Sequence, residues 1–114
     1  MTSEGETFPQ RVIRLVFAIP YGKVASYGQI ATMAGNPRAA RMVVGSLNAA
    51  RNRPNLPWYR LVNRNGCVAL PPGEGFALQV QLLRSEGIPV SDEGAIAENG
   101  VSVFADYQWD GKPL

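Results

Sequence analysis

The sequence predicts a mainly helical domain with a small β wing, a winged-helix-like helix-turn-helix arrangement. Three observations predict it. Thr7 with Gln10 and Ser26 with Gln29 both have capping-box spacing. Gly35-Asn36-Pro37 reads as a helix stop followed by a helix start. Asn65-Gly66, a hairpin-turn dipeptide, lies between two short apolar runs.

The first helix is expected over Phe8 to Ile19, because Val12, Ile13, Val16 and Phe17 recur at helical spacing and Pro20-Tyr21-Gly22 ends the run. Residues 1–7 read as a flexible tail, and 8–114 as one domain without repeats. Val24 and Ala25 form a short extended piece. A second helix is expected from Tyr27 to Ala34, stopped by Gly35. Asn36 as cap and Pro37 at the first helical position then open a third helix, expected to reach about Ala49 with Ala40, Val43, Val44 and Leu47 inward. Two helices joined by a short Gly-containing turn form a helix-turn-helix, a pairing that ordinary helical bundles also show. After the loop from Arg51 to Pro57, Trp58 to Val62 is expected to be extended and Cys67 to Leu70 to return as the second strand of the wing. A fourth helix is expected from Phe76 to Glu86, with Leu78, Leu82 and Leu83 inward and Gly87 as its stop. The tail has a strand-like piece at Val101 to Phe104 and ends near Tyr107-Gln108-Trp109.

Composition narrows the chemistry. A 114-residue chain buries roughly two-thirds of its unfolded surface and needs no disulfide or metal staple. Six arginines (Arg38, Arg41, Arg51, Arg53, Arg60 and Arg64) stand between residues 38 and 64 with no Asp or Glu among them. Such a block suits a polyanion, although a solvated surface has the same composition. The absence of histidine closes His-dependent acid-base chemistry and His-containing metal sites. The single cysteine, Cys67, excludes an internal disulfide and fits a reducing cytoplasm. No apolar run approaches the roughly 20 residues of a membrane span, and the polar, acidic stretch Met1 to Glu6 is not a signal peptide. No cofactor or metal is expected.

Two blocks carry a sharper signal: Val24-Ala25-Ser26-Tyr27-Gly28-Gln29-Ile30-Ala31 with Gly35-Asn36-Pro37-Arg38-Ala39-Ala40-Arg41, and Leu56-Pro57-Trp58-Tyr59-Arg60-Leu61-Val62-Asn63. Together they resemble the DNA-binding domain of the O6-alkylguanine alkyltransferases, whose second block reads Pro-Cys-His-Arg-Val, the Cys accepting the alkyl group. Here Trp58 stands at the Cys position and Tyr59 at the His position. Trp in that place is the mark of the alkyltransferase-like proteins, and the resemblance runs from about Phe8 to Trp109.

The resemblance implies a monomeric, non-enzymatic protein that binds O6-alkylguanine in duplex DNA, flips the base out and flags the site for nucleotide excision repair proteins. It implies a cytoplasmic location, nucleoid-associated in a bacterium and nuclear in a eukaryote. Arg41 would be the finger filling the gap in the stack; a helix-surface arginine on a phosphate is the alternative. Tyr27 would press on the phosphate beside the flipped nucleotide, or pack on the third helix. Ser26, Gln29 and Arg38 would lie along the DNA backbone, although capping also explains Ser26 and Gln29. Ala39 and Ala40 would let the third helix enter the minor groove, which is about 6 Å wide. Trp58, Tyr59, Tyr27, Pro57 and Arg60 would form the lesion pocket, Arg60 mainly by fixing its loop; a buried core tryptophan is the alternative for Trp58. Glu86 falls where the transferases have a glutamate that orients their histidine. The chain departs from its relatives at Val44, Tyr59 and Pro71-Pro72-Gly73. An alkyltransferase with a non-standard acceptor, such as Cys67, and a winged-helix regulator of undamaged DNA are the competing readings.

Overall fold

A computed structural model describes residues 5–112. Residues 1–4 of the expected tail and 113–114 of the expected domain lie outside them. The elements run α1 (Phe8–Ala18), β1 (Ala25–Ser26), α2 (Tyr27–Met33), α3 (Ala40–Ala49), a 3-10 turn (Trp58–Arg60), β2 (Leu61–Val62), α4 (Glu74–Ser85), β3 (Ala97–Glu98), β4 (Val101–Ser102) and α5 (Phe104–Tyr107).

Helix α1 starts on a complete capping box: Thr7 Oγ1 accepts from the Gln10 amide, and Gln10 Oε1 accepts from the Thr7 amide. Glu6 and Thr7 are therefore held in place rather than frayed. The Glu6 carboxylate accepts from Arg14 and its carbonyl from Arg11. The buried stripe of α1 is Val12, Ile13, Leu15 and Val16, whereas Phe17, expected inward, is exposed.

Helix α2 is capped by Ser26 Oγ on the Gln29 amide. It ends in a Schellman arrangement, with Gly35 at φ +102° and the Asn36 amide on the Ala31 carbonyl. The expected start of α3 at Pro37 is corrected. Asn36 Oδ1 accepts from the Arg38 amide and the Asn36 carbonyl from the Ala39 amide, so residues 36–39 make a separate turn and α3 begins at Ala40. Its buried positions are Val43 and Ser46, while Val44 faces outward. In α4 the inward residues are Gln79, Val80 and Leu83; Leu78 is exposed.

The wing differs most from expectation. Asn63, Arg64, Asn65 and Gly66 form a tight turn, with the Gly66 amide on the Asn63 carbonyl, but its two limbs do not continue as a hairpin. The incoming limb is a 3-10 turn followed by β2, which pairs in parallel with β1 in the register Ala25↔Leu61 and Ser26↔Val62. The outgoing limb bridges elsewhere, Cys67 to Ala95. Parallel pairing wins because it buries Leu61 and Val62 completely. The true hairpin is β3–β4, turned by Asn99-Gly100 at φ +52° and +77°. Phe104, expected at a strand end, opens α5.

The β1–β2 ladder joins two apolar cores. Successive strand residues point to opposite faces. Ala25 and Leu61 thus enter the core built from α1, α2, α3 and Trp109, while Val24 and Val62 enter the core of Val80, Leu83, Ile88, Val90 and Ile96. On its other side β1 is tied to the chain end: Trp109 donates to the Val24 carbonyl and Val24 to the Tyr107 carbonyl. Among the described residues no helix is long and apolar enough to cross a membrane.

Gly66 closes the 63–66 turn at φ +77°, and a Cβ there would lie 2.5 Å from Phe104 Cγ. Left-handed strain and overpacking act together at this position. Gly66→Ala is expected to lower unfolding stability by about 2–3 kcal/mol, read from urea denaturation; an unchanged midpoint would contradict this packing.

Candidate nucleic-acid interface

A cavity of about 210 Å3 opens between α2, α3, the 3-10 turn and α4, lined by Tyr27, Val44, Leu47, Asn48, Arg51, Trp58, Leu70 and Gln79. Pockets for drug-sized ligands run about 300–1,000 Å3, so this one suits a smaller, ring-sized guest.

Two of the five expected pocket residues, Tyr27 and Trp58, line the cavity. Trp58 is half-buried and its indole N–H has no hydrogen-bond partner among the described residues. Its ring meets Tyr59 edge-on, with centroids 5.9 Å apart and planes at 87°. Burial raises the pKa of Tyr27 above its ordinary value, keeping the phenol protonated.

The other three sit behind the wall. Pro57 is buried beneath the loop. Tyr59 and Arg60 turn away from the cavity to Glu86, the residue following α4. The Glu86 carboxylate accepts from Tyr59 Oη at 2.7 Å, from Arg60 Nη2 at 2.7 Å, from Arg60 Nε at 3.0 Å and from the Gly22 amide at 2.8 Å. Arg60 Nη1 also donates to the Ile19 carbonyl, and its guanidinium lies 5.5 Å from the Tyr59 ring centroid and 5.8 Å from that of Tyr21. Desolvation alone would raise the Glu86 pKa, but hydrogen bonds from Arg60, Gly22 and Tyr59 outweigh it and hold the carboxyl below its ordinary value. Burial, and then the bond to Glu86, push the Tyr59 phenol upward, so it keeps its proton. The pocket loop is thus clamped by an ion pair whose partners are both nearly sealed from water.

Gln79 holds the same loop from beneath. Its Nε2 donates to the Tyr59 carbonyl at 3.1 Å and the Leu61 carbonyl at 2.8 Å, although it is a polar residue only 2% exposed. These two carbonyls fix which end of the amide is nitrogen. Sequence reasoning missed Gln79 because the apolar period chose its neighbour Leu78. It also missed Leu47, Asn48 and Arg51 as lining residues; with Tyr27 placed in the pocket, the packing of α3 on α2 is the contact that brings them there.

The remaining expected residues divide. Arg41 is exposed on α3 and has no hydrogen-bond or ion-pair partner among the described residues. It stands three and seven residues before Val44 and Asn48, on the helical face that lines the cavity. Arg38 is exposed in the turn before α3. Ala40 is half-buried and Ala39 is buried, so Ala39 packs inward rather than facing a groove; the small exposed residues of α3 are Gly45 and Ala49. Ser26 is buried as a cap. The Gln29 side chain is committed within the fold, donating to the Trp109 carbonyl at 2.6 Å and accepting from Gln108 at 2.9 Å. Cys67 is half-buried beside the 63–66 turn and does not line the cavity.

Because the folded-state pKa of Glu86 is lowered, its stabilisation is fully present above the ordinary value of 4.5 and is lost as pH falls through the lowered value. Glu86→Gln leaves the Arg60 charge buried without its partner and is expected to cost about 3–5 kcal/mol at neutral pH. The gap between wild type and variant should then narrow below pH 4.5. Denaturant titrations at pH 7 and at about pH 3 measure both quantities; a gap that is constant with pH would contradict the clamp.

Residues 7–88 match the family described as 6-O-methylguanine DNA methyltransferase, DNA binding domain. The chain is 47% identical over 91 residues to the DNA base-flipping protein of Escherichia coli (strain K12), a match covering 80% of this chain and 70% of that one. It is 33% identical over 105 residues to alkyltransferase-like protein 1 of Schizosaccharomyces pombe, covering 91% of this chain and 95% of that one. The crystal structure of S. pombe Atl1 in complex with damaged DNA containing O6-carboxymethylguanine superposes with a TM-score of 0.75 at 29% identity, over 99% of this chain and 100% of that one. With Trp58 in the wall and the fold shared end to end, the chain belongs to the alkyltransferase-like family.

Proposed function

We propose that this protein recognises O6-alkylguanine in duplex DNA without repairing it, flipping the modified base into the Trp58 cavity while Arg41 occupies the vacated place in the stack. One observation carries the reading. At the position where the transferases hold their acceptor cysteine, an indole with a free N–H lines a ring-sized cavity beneath the helical face that bears Arg41.

Alkyl transfer requires a thiolate activated by a neighbouring base. Trp58 offers no nucleophile, and the Tyr59 phenol keeps its proton while donating a hydrogen bond to Glu86. Flipping costs a few kcal/mol, less where pairing is already damaged, which favours lesions over intact guanine. A planar guanidinium stacks on neighbouring bases and suits the vacated place. Helix α3 enters the minor groove on its Arg41–Gly45–Ala49 side, Ala40 at its edge, with Arg38 and Tyr27 against the backbone. The protein acts as a monomer on DNA inside the cell, cytoplasmic or nuclear according to its host. It leaves the chemistry to nucleotide excision repair, a hand-off that rests on the resemblance alone.

Two duplexes that differ only by one O6-methylguanine, titrated at one salt concentration, test the reading. The lesion duplex is expected to bind tenfold tighter or more, which is about 1.4 kcal/mol. Arg41→Ala is expected to remove most of that margin while weakening intact-duplex binding less. Equal losses on both duplexes would make Arg41 a phosphate contact. Intact-mass measurement after incubation should show no added methyl group; a gain of one methyl would make the protein a transferase.

A further inference from the structure

The polar lining of the Trp58 cavity is lopsided. Besides Trp58, the polar residues are Tyr27, Asn48, Arg51 and Gln79, and no carboxylate is among them. The indole N–H, the Tyr27 hydroxyl, the Asn48 amide and the Arg51 guanidinium make no hydrogen bond among the described residues; Tyr27 and Trp58 are half-buried, and Asn48 and Arg51 are exposed at the rim. Arg51 is the one charged residue of the lining, and no ion pair among the described residues engages it. It is placed there by the end of α3: Ala50 closes the helix, with its amide on the Ser46 and Leu47 carbonyls, and Arg51 follows directly. Arg53, two residues on, lies 5.9 Å from the Phe17 ring centroid, in a separate depression against α1. Of the two arginines in this loop segment, only Arg51 reaches the cavity.

From this we infer that Arg51 is a specificity-determining residue that makes the pocket favour O6-adducts ending in a carboxylate over neutral adducts of the same size. The inference rests on the reading of the cavity as the lesion pocket. Val44, Leu47 and Leu70 supply apolar contact to the methylene of such an adduct. The Arg51 guanidinium supplies a charge-assisted, two-pronged donor to its carboxylate. A neutral adduct of equal shape gains the apolar contact and loses the charge.

The test uses three duplexes of one sequence carrying guanine, O6-carboxymethylguanine or O6-carbamoylmethylguanine at one position. The last two match closely in shape and differ in charge, so phosphate contacts cancel in the ratio of their affinities. The wild-type protein is expected to prefer the carboxymethyl duplex by about fivefold at physiological salt, equivalent to about 1 kcal/mol. In Arg51→Gln the ratio should fall to about one, and in Arg51→Glu it should invert. A wild-type ratio of one overturns the inference without reference to any variant. A ratio that survives in Arg51→Gln also overturns it. If Arg51→Gln instead weakens all three duplexes by the same factor, Arg51 serves a backbone phosphate and the inference fails. If neither adduct binds more tightly than guanine, the lesion-pocket reading itself fails, an outcome distinct from the others.

Discussion

Two segments far apart in sequence, Gly22 and the adjacent pair Tyr59 and Arg60, bring their donors to one carboxylate, that of Glu86. Arg60 extends the same cluster to the last turn of α1 through the Ile19 carbonyl. The end of α1, the turn after it, the loop bearing Trp58 and the end of α4 are thus fixed to one another around a single negative charge. Such a group is expensive to bury alone and tolerable only when its lone pairs are filled. Here they are filled by the elements that must be mutually placed for the cavity to exist.

The second constraint is the two-residue ladder between β1 and β2. Its side chains alternate between two cores, so the ladder is a partition with apolar packing on both sides. Trp58 sits immediately upstream of this partition, and Gln79 reaches across from α4 to hold the carbonyls on either side of Arg60. The cavity is therefore walled by both halves of the molecule. Behind its wall the main chain on either side of Arg60 is pinned by side chains, an arrangement that limits loop freedom around Trp58.

The helices and their caps were legible in the sequence because their signals are local. Thr7, Ser26 and Gly35 each act on neighbours a few residues away and cap or stop their helices, although only half of the second capping box forms, the Gln29 side chain bonding Trp109 and Gln108 instead. The errors came where another partner outbid the signal read, distant in one case and local in the other. Asn65-Gly66 reads as a hairpin turn and does turn the chain, yet Leu61 and Val62 pair with β1, more than thirty residues upstream. Asn36-Pro37 reads as a helix start, but the Asn36 side chain spends itself on the Arg38 amide and delays the helix to Ala40. At the site, Trp58 and Tyr27, which line the cavity, were legible through the family resemblance. Gln79 and Arg51 were not, because a buried amide and a loop arginine carry no periodic signature.

The bond from Tyr59 to Glu86 also sets what chemistry this wall could host. A cysteine placed at position 58 alone would sit beside a phenol that holds its proton tightly and a carboxylate already occupied by Arg60 and Gly22. The thiol would stay largely neutral at physiological pH and gain little reactivity. Alkyl acceptance at this position would therefore require a second replacement, at position 59, that supplies a neighbouring base. Positions 58 and 59 are coupled through Glu86, so a reactive thiol and its base would have to enter this wall together.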